Sequence, residues 1–172
     1  MRLTDGGGLD TNFGSAGRVM LPYWTVPAIA RDRFGHILLY GLKGASYRPL
    51  LSRLSPRGFP DRSFGVDGNV HVTPPDNERR VALAVDRRGR PLLATALSKN
   101  RFKRGEFLIS RHHRQGPVDR AFGNDGKSTA RFGAWVEADG ILVGSGGNIV
   151  VGGTYDKKGS YGFALARFLG AP

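Results

Sequence analysis

A nine-residue pattern occurs three times in this chain, and it constrains the fold more than any other feature of the sequence. Residues 9–17, 60–68 and 118–126 each place Asp at the second position, Phe-Gly at the fifth and sixth, and Gly at the ninth. The Phe-Gly steps lie 51 and 58 residues apart. Repeats of this length are typical of propellers, solenoids and related arrays.

The composition fits one globular domain made of strands. Hydrophobic residues are 40% of the 172, enough for one core, and the 26 glycines separate short apolar runs as turn residues do. The sequence has no cysteine, so disulfides and cysteine-based zinc sites are excluded. Residues 1–8 lack the apolar stretch of a signal peptide, and no run is long enough to span a membrane. We expect a soluble protein, cytoplasmic unless it is a fragment of a secreted parent.

Each repeat divides into four predicted strands: one after the Phe-Gly turn, two in a hairpin, and one that closes the unit. The first predicted strands are residues 18–21, 69–73 and 127–132; the hairpin turns are an Asp-x-x-Gly sequence at 32–35 and 86–89 and a Gly-rich sequence at 144–148; the closing strands are 49–54, 107–112 and 163–168. These segments predict an all-β single domain over residues 1–172. Its three four-stranded antiparallel repeats are residues 9–54, 60–112 and 118–168.

The order of these motifs resembles a known family. A Leu-Asp-x-x-Phe-Gly-x-x-Gly turn, a strand, an Asp-x-x-Gly hairpin and an Ala-Leu-Ala-Arg-Phe strand at residues 164–168 are similar to the delta-60 repeat of large bacterial proteins. The resemblance covers nearly the whole chain and implies a β-propeller-like array with no known chemistry. Members usually carry more than three repeats, which implies a fragment or partial array. The alternative fold is a β-trefoil, which closes three four-stranded repeats into a monomer.

Arginine and aspartate recur in phase with the repeat. Arg53 and Asp61 are eight residues apart across a turn, as are Arg111 and Asp119 and the first pair at positions 2 and 10. Because a planar guanidinium can bind a carboxylate and nearby carbonyls together, we expect these pairs to join one repeat to the next. A ring of anion-binding arginines is the alternative. We also expect the repeated aromatic residues to be buried anchors: Phe13, Phe64 and Phe122.

The chain is strongly basic, with a formal net charge of +12 at pH 7. Such a surface attracts nucleic acid, anionic glycans or acidic proteins. The middle repeat has the densest clusters, and an aromatic residue within them can stack on a base or sugar. The candidate polyanion-binding residues are Arg87, Arg88, Arg90, Lys99, Arg101, Phe102, Lys103, Arg104 and Arg114. A solvated edge without binding function is the alternative.

The sequence contains no convincing catalytic or metal constellation. Residues 121–128 differ from a P-loop at the first Gly and lead into a predicted strand rather than a helix. His112 and His113 are adjacent and so point to opposite faces of a strand; we expect them, like His36 and His71, to be solvated turn residues. No catalytic residue, cofactor or metal is predicted.

These observations favour a non-enzymatic β-repeat scaffold for protein interaction or assembly. The alternative is a polyanion-binding module that uses the basic middle repeat. Three units of a propeller form an open arc, so the expected partner is a second copy that completes a six-bladed ring, or further repeats of a parent chain. Residues 1–3 and 163–168 are the segments expected to meet at such a junction.

Overall fold

The computed structural model describes residues 1–44, 48–73, 80–98 and 105–169, and within these ranges it is built from strands without a helix. The strands are β1 (Tyr23–Arg31), β2 (Ile37–Lys43), β3 (Arg48–Leu54), β4 (Asn69–His71), β5 (Ala82–Val85), β6 (Pro91–Ser98), β7 (Gly105–Arg111), β8 (Lys127–Arg131), β9 (Trp135–Val143), β10 (Ile149–Lys157) and β11 (Ser160–Phe168). The predicted all-β class is confirmed. In this part of the chain, no helix long and apolar enough to cross a membrane is present.

The strands form three antiparallel sheets in chain order. Sheet 1 has the order β1-β2-β3-β4, sheet 2 has β5-β6-β7-β8, and sheet 3 has β9-β10-β11. The prediction of four strands per unit holds for the first two sheets. It is wrong for sheet 3, where the described residues supply three strands and β11 is an edge.

The sheets are out of phase with the sequence repeat. The strand that follows each Phe-Gly turn pairs backwards, onto the closing strand before the turn: β4 pairs with β3 and β8 with β7. The sheets therefore span residues 23–71, 82–131 and 135–168. The repeats predicted from the sequence are residues 9–54, 60–112 and 118–168. The strand predicted at residues 18–21 does not form, because Arg18 makes only an isolated bridge with Ser15.

The predicted Asp-x-x-Gly hairpin turns are confirmed. The carboxylate of Asp32 accepts hydrogen bonds from the backbone N–H groups of Phe34 and His36, both at 2.8 Å. Asp86 does the same for the second hairpin, with N–O distances of 2.9 Å. Gly35 has a φ of 87° and its equivalent in the second turn has 78°, a region that favours glycine. The Asp side chain thus satisfies the turn while the Gly permits its reversal.

Two layers of apolar side chains join the sheets face to face. Between sheets 1 and 2 the buried residues are Leu38, Tyr40, Leu51, Val81, Leu83 and Leu93, with Phe64 and Ala28 at the same layer. Between sheets 2 and 3 they include Leu92, Phe107, Ile109, Val136, Ala138, Val151 and Ala164. Sheets 1 and 2 therefore each bury one face against the sheet that comes next in chain order.

Candidate functional site

Three side chains make the repeated anchor that links the sheets. Arg53 donates from Nε to Asp61 Oδ2 at 2.8 Å, and its guanidinium lies 4.7 Å from the centre of the Phe64 ring. Its Nη1 also donates to the carbonyl of Arg114, in the connection between β7 and β8 of sheet 2, at 2.5 Å. The predicted ion pair is confirmed, and it does join one unit to the next. The aromatic stack was not predicted from the sequence.

The same anchor occurs at the other two Phe-Gly turns. Arg111 donates to Asp119 at 2.8 Å and lies over the Phe122 ring at 4.4 Å. Arg2, Asp10 and Phe13 repeat the arrangement, and Arg2 also donates to the carbonyl of Pro56 at 2.7 Å. The phenylalanine rings are buried in all three turns, as predicted. Arg53 and Arg111 are buried as well, so the alternative of a solvent-facing, anion-binding arginine ring does not fit them.

The pKa values of the anchor carboxylates Asp61 and Asp119 are lowered by hydrogen bonds and by the nearby guanidinium charges. Burial alone would raise the pKa of Asp119. The charge and hydrogen bond of Arg111, with smaller contributions from His113 and the Ala121 N–H, lower that pKa below its ordinary value. For Asp61, burial is likewise outweighed by hydrogen bonds from Ser63 and by the nearby guanidinium, so its pKa is also lowered. The anchors are therefore charged pairs at neutral pH.

The Phe-Gly turn itself docks on the following sheet. The N–H of Gly14 donates to the Arg57 carbonyl at 2.7 Å, and Gly65 donates to Gln115 at 2.8 Å. A side chain at Gly65 would place its Cβ 2.1 Å from the Asn69 carbonyl oxygen, and φ there is 56°. Glycine is therefore required at this step of the repeat.

Sheet 3 leaves uncovered the face that sheets 1 and 2 bury. Phe163 and Leu165 on β11 are 89% and 70% exposed. Leu165 stands two residues before Arg167, where Leu51 precedes Arg53 and Ile109 precedes Arg111; both equivalents are 0% exposed. Leu142 on β9 extends this exposed face. We call Leu142, Phe163 and Leu165 the sheet 3 face.

The free edge of sheet 3 has a matching segment elsewhere in the chain. β4 and β8 each begin four residues after the Gly of a Phe-Gly step and cover the third strand of their sheet. Residues 18–20 occupy that place after Gly14, yet they join none of the three sheets and Met20 is exposed. Within the described residues, sheet 3 therefore has no fourth strand, and the segment 18–20, which matches a fourth strand, belongs to no sheet.

Sheet 1 has an exposed apolar residue at the opposite end of the array. Ile29 on β1 is 66% exposed, whereas its equivalent Leu83 on β5 is buried against sheet 1. The side chain of Tyr23, from the same sheet, covers part of this face, because its hydroxyl lies 2.5 Å from Ser52 Oγ. A patch around Ile29 remains open to solvent.

The described basic candidates have different surroundings. Arg87 and Arg88 are exposed at the turn between β5 and β6, where they border a groove with residues 144–147 of sheet 3. Arg90 is engaged by Asp86, with an Nε to Oδ2 distance of 2.6 Å. Arg114 is exposed and lies over the Phe34 ring at 4.4 Å.

The remaining basic candidates, Lys99, Arg101, Phe102, Lys103 and Arg104, lie outside the described residues. Their flanking residues Ser98 and Gly105 are at the end of β6 away from Pro91. Eight strand residues separate these ends by roughly 23 Å, so the two basic segments leave sheet 2 at opposite ends.

Of the four histidines, His71 and His113 are exposed as expected, whereas His112 and His36 depart from the expectation of solvated turn residues. His112 is buried, and its Nδ1 lies 2.7 Å from the Gly116 carbonyl oxygen. His36 is partly buried, with Nδ1 2.9 Å from Asp32 Oδ2. A signal for His112 was present in the sequence, because the equivalent positions of the other closing strands hold Leu54 and Phe168. No cluster of three potential metal ligands occurs among the residues with described positions.

The repeated motifs thus account for the arrangement of the sheets and for the surfaces that the sheets leave exposed. The resemblance to the delta-60 repeat rests on the motifs quoted above and stays a prediction. In the comparison with known proteins, the chain matches no protein-family model and no curated protein.

Proposed function

We propose that this protein is a non-enzymatic scaffold, a β-propeller-like array that assembles through the sheet 3 face with a second copy of itself. The observation that carries the proposal is the exposure of Leu165, at a position that both other sheets bury completely, together with Phe163, whose equivalent Phe107 in sheet 2 is also buried completely. Covering a Leu or Phe side chain contributes about 1.5–3 kcal/mol, so this face favours a partner. A trefoil would close its three repeats on one another, which the open third sheet does not favour.

A second copy fits the face because the chain already packs this way twice. In both internal interfaces, the face carrying residues such as Leu51 or Ile109 meets the first strands of the following sheet. In a second copy, the face with Ile29 is the surface that corresponds to that following sheet. When the sheet 3 face of each copy meets the Ile29 face of the other, the two copies form a ring of six sheets. Known propellers have four to eight such blades.

The edge of β11 supports the same partner. Residues 18–20 of the second copy would then lie along β11, as β4 lies along β3. Arg167 is exposed and holds the place in its strand that Arg53 and Arg111 hold in theirs. In the assembly, Arg167 of one copy takes the position that Arg2 holds beside Asp10 in the other copy. Residues 1–3 of that other copy move aside. Arg2 is the partly exposed member of the anchor series, which makes this exchange feasible.

The molar mass in solution tests the proposal. We expect a dimer by light scattering at micromolar concentration, and a monomer for Leu165→Asp at the same concentration. The matched control is Val66→Asp. Val66 is also exposed, and its equivalents Ser15 and Asn124 show that the repeat accepts a polar residue there. A monomeric wild type, or equal dissociation of both variants, contradicts the assembly.

A polyanion-binding module is the second candidate, favoured by the exposed arginines of the middle repeat. Arg87, Arg88 and Arg114 are open to solvent, whereas Arg90 is engaged by carboxylates. Binding through phosphate or sulfate contacts weakens steeply with salt, while an apolar interface does not. A salt series on oligomer mass and on heparin binding therefore separates the two functions.

A further inference from the structure

A cavity of about 210 Å³ lies between sheets 1 and 2. Val72, Val81, Leu93 and Leu108 form the apolar part of its lining. The hydroxyl-bearing residues Thr73, Thr95 and Ser110 line it as well. A cavity of about 150 Å³ holds a benzene molecule, so this one has room for a small organic molecule. Both sheets belong to the same copy, so the site does not depend on the proposed assembly.

Two buried polar atoms belong to residues that line this cavity. Tyr40 from β2 and His112 from the end of β7 are each 1% exposed. The Tyr40 hydroxyl and His112 Nε2 have no hydrogen-bond partner among the residues that the structure describes. Buried polar groups are nearly always hydrogen-bonded, and leaving them unpaired costs stability. A bound molecule that forms hydrogen bonds with these two atoms would remove this cost.

Both residues depart from the repeat, and they do so around this one cavity. The position of Tyr40 holds Ala94 in sheet 2 and Gly152 in sheet 3. The position of His112 holds Leu54 in sheet 1 and Phe168 in sheet 3. Because an apolar residue serves the structure at the His112 position in the other two sheets, a polar residue is not required there, whereas Tyr40 also packs in the apolar layer between sheets 1 and 2.

The tautomer of His112 defines what it can bind. A carbonyl oxygen only accepts hydrogen bonds, so the contact with Gly116 places the proton on Nδ1. Burial lowers the pKa of His112, against the opposing effect of the Gly116 carbonyl, and favours the neutral ring. Nε2 is then an acceptor, and its partner has to be a hydroxyl or an N–H group. The Tyr40 hydroxyl is available as a second polar contact.

The exposed lining residues give the open side of the cavity a positive charge. Arg120, Lys127 and His71 are exposed, and Asp125 is the acidic group beside them. Arg120 Nε is 3.6 Å from Asp125 Oδ1. Among the described lining residues, one carboxylate accompanies two permanent cations, so an anionic group is favoured at this side.

We propose that this cavity binds a small carboxylic acid with an apolar body and a hydroxyl group at its far end. The hydroxyl donates to His112 Nε2 in the interior, close to the Tyr40 hydroxyl. The apolar body lies between Val81 and Leu93, and the carboxylate lies near Lys127. An amine in place of the hydroxyl satisfies the same acceptor.

Calorimetry with 4-hydroxybenzoate as the probe tests this site. We expect saturable binding to the wild type, and at least tenfold weaker binding of benzoate, which lacks the donor, and of phenol, which lacks the carboxylate. His112→Leu restores the residue type of the repeat; it should fold as well as the wild type and lose at least tenfold in probe affinity. His113→Leu, on the adjacent exposed histidine, is the matched control and should bind the probe as the wild type does.

Several results would overturn the proposal. They are no saturable binding of 4-hydroxybenzoate, equal affinity for benzoate, and unchanged affinity in His112→Leu. If that variant fails to fold, the ring ¹⁵N NMR signals of wild-type His112 decide. Its Nε2 signal should shift on addition of the probe, and a signal that stays in place means that the cavity holds water only.

Discussion

The guanidinium of Arg111 lies 4.4 Å from the centre of the Phe122 ring, eleven residues further along the chain. The same guanidinium donates to Asp119. One arginine therefore binds a carboxylate at its edge and an aromatic ring at its face. Its planar, delocalised charge makes both contacts possible at once.

Removal of Arg111 should strongly destabilise the protein. Arg111→Ala leaves the buried Asp119 carboxylate without its partner, and we expect a loss of about 3 kcal/mol in the free energy of unfolding. Urea denaturation monitored by far-UV circular dichroism measures this loss. Arg2→Ala is the matched control and should cost much less, because its ion pair is partly exposed. Similar losses for the two variants would show that burial does not determine the strength of the anchor.

The anchors should make the protein sensitive to acid. The pKa of Asp119 in the folded protein lies below the ordinary value of an aspartate. As pH falls past that ordinary value, the unfolded chain takes up a proton that folded Asp119 does not, so the free energy of unfolding decreases until the folded pKa is passed. Above about pH 5 the contribution is fully present.

Urea titrations between pH 7 and 3 measure this dependence. Asp119→Asn removes the titrating group, so the variant should be less stable at pH 7 and should lose less stability on acidification than the wild type. Asp5→Asn lies outside the anchors and serves as the control for an ordinary acidic residue. If the acid dependence of Asp119→Asn equals that of the wild type, the anchor carboxylate is not its source.

Engineered cysteines should cross-link two copies at the edge of β11. In sheet 1, Ser52 Oγ and Asn69 Oδ1 are 2.6 Å apart across β3 and β4. The equivalent positions at the proposed junction are Ala166 and Arg18. The chain has no cysteine of its own, so each introduced thiol has one possible partner type.

We expect a covalent dimer on non-reducing gels when Arg18→Cys and Ala166→Cys proteins are mixed and oxidised. Neither variant alone should form it, because like positions do not meet in a head-to-tail contact. Covalent dimers from one variant alone, or none from the mixture, argue against this arrangement.

Binding to heparin should reveal whether the basic surface is specific. If the turn between β5 and β6 is a binding site, Arg87→Glu with Arg88→Glu should weaken binding, and the logarithm of the affinity should fall linearly with the logarithm of salt concentration. The same change at Arg31 and Arg33 is the control of equal charge. Equal weakening at both places indicates diffuse attraction to a protein of net charge +12. Charge reversal within residues 99–104 tests the second basic segment separately.

Local chemistry explains which features could be predicted from the sequence. The turn at Asp32 and the pairing of Arg53 with Asp61 depend on residues a few positions apart, so spacing was sufficient to find them. The partner of β4 was not predictable in this way. A strand of three residues has nearly the same local preference beside either neighbouring hairpin, and the choice is made by Val70 packing into the layer around Leu51. The burial of His112 likewise depends on how two sheets meet.

The phase shift between repeat and sheet has a mechanical consequence. Residues 60–112, one repeat of the sequence, supply the last strand of sheet 1 and three strands of sheet 2. Each sequence repeat therefore contributes strands to two neighbouring sheets. When one sheet unfolds, it displaces a strand from the same segment of chain that forms the neighbouring sheet. The sheets are therefore coupled through the backbone as well as through their side chains.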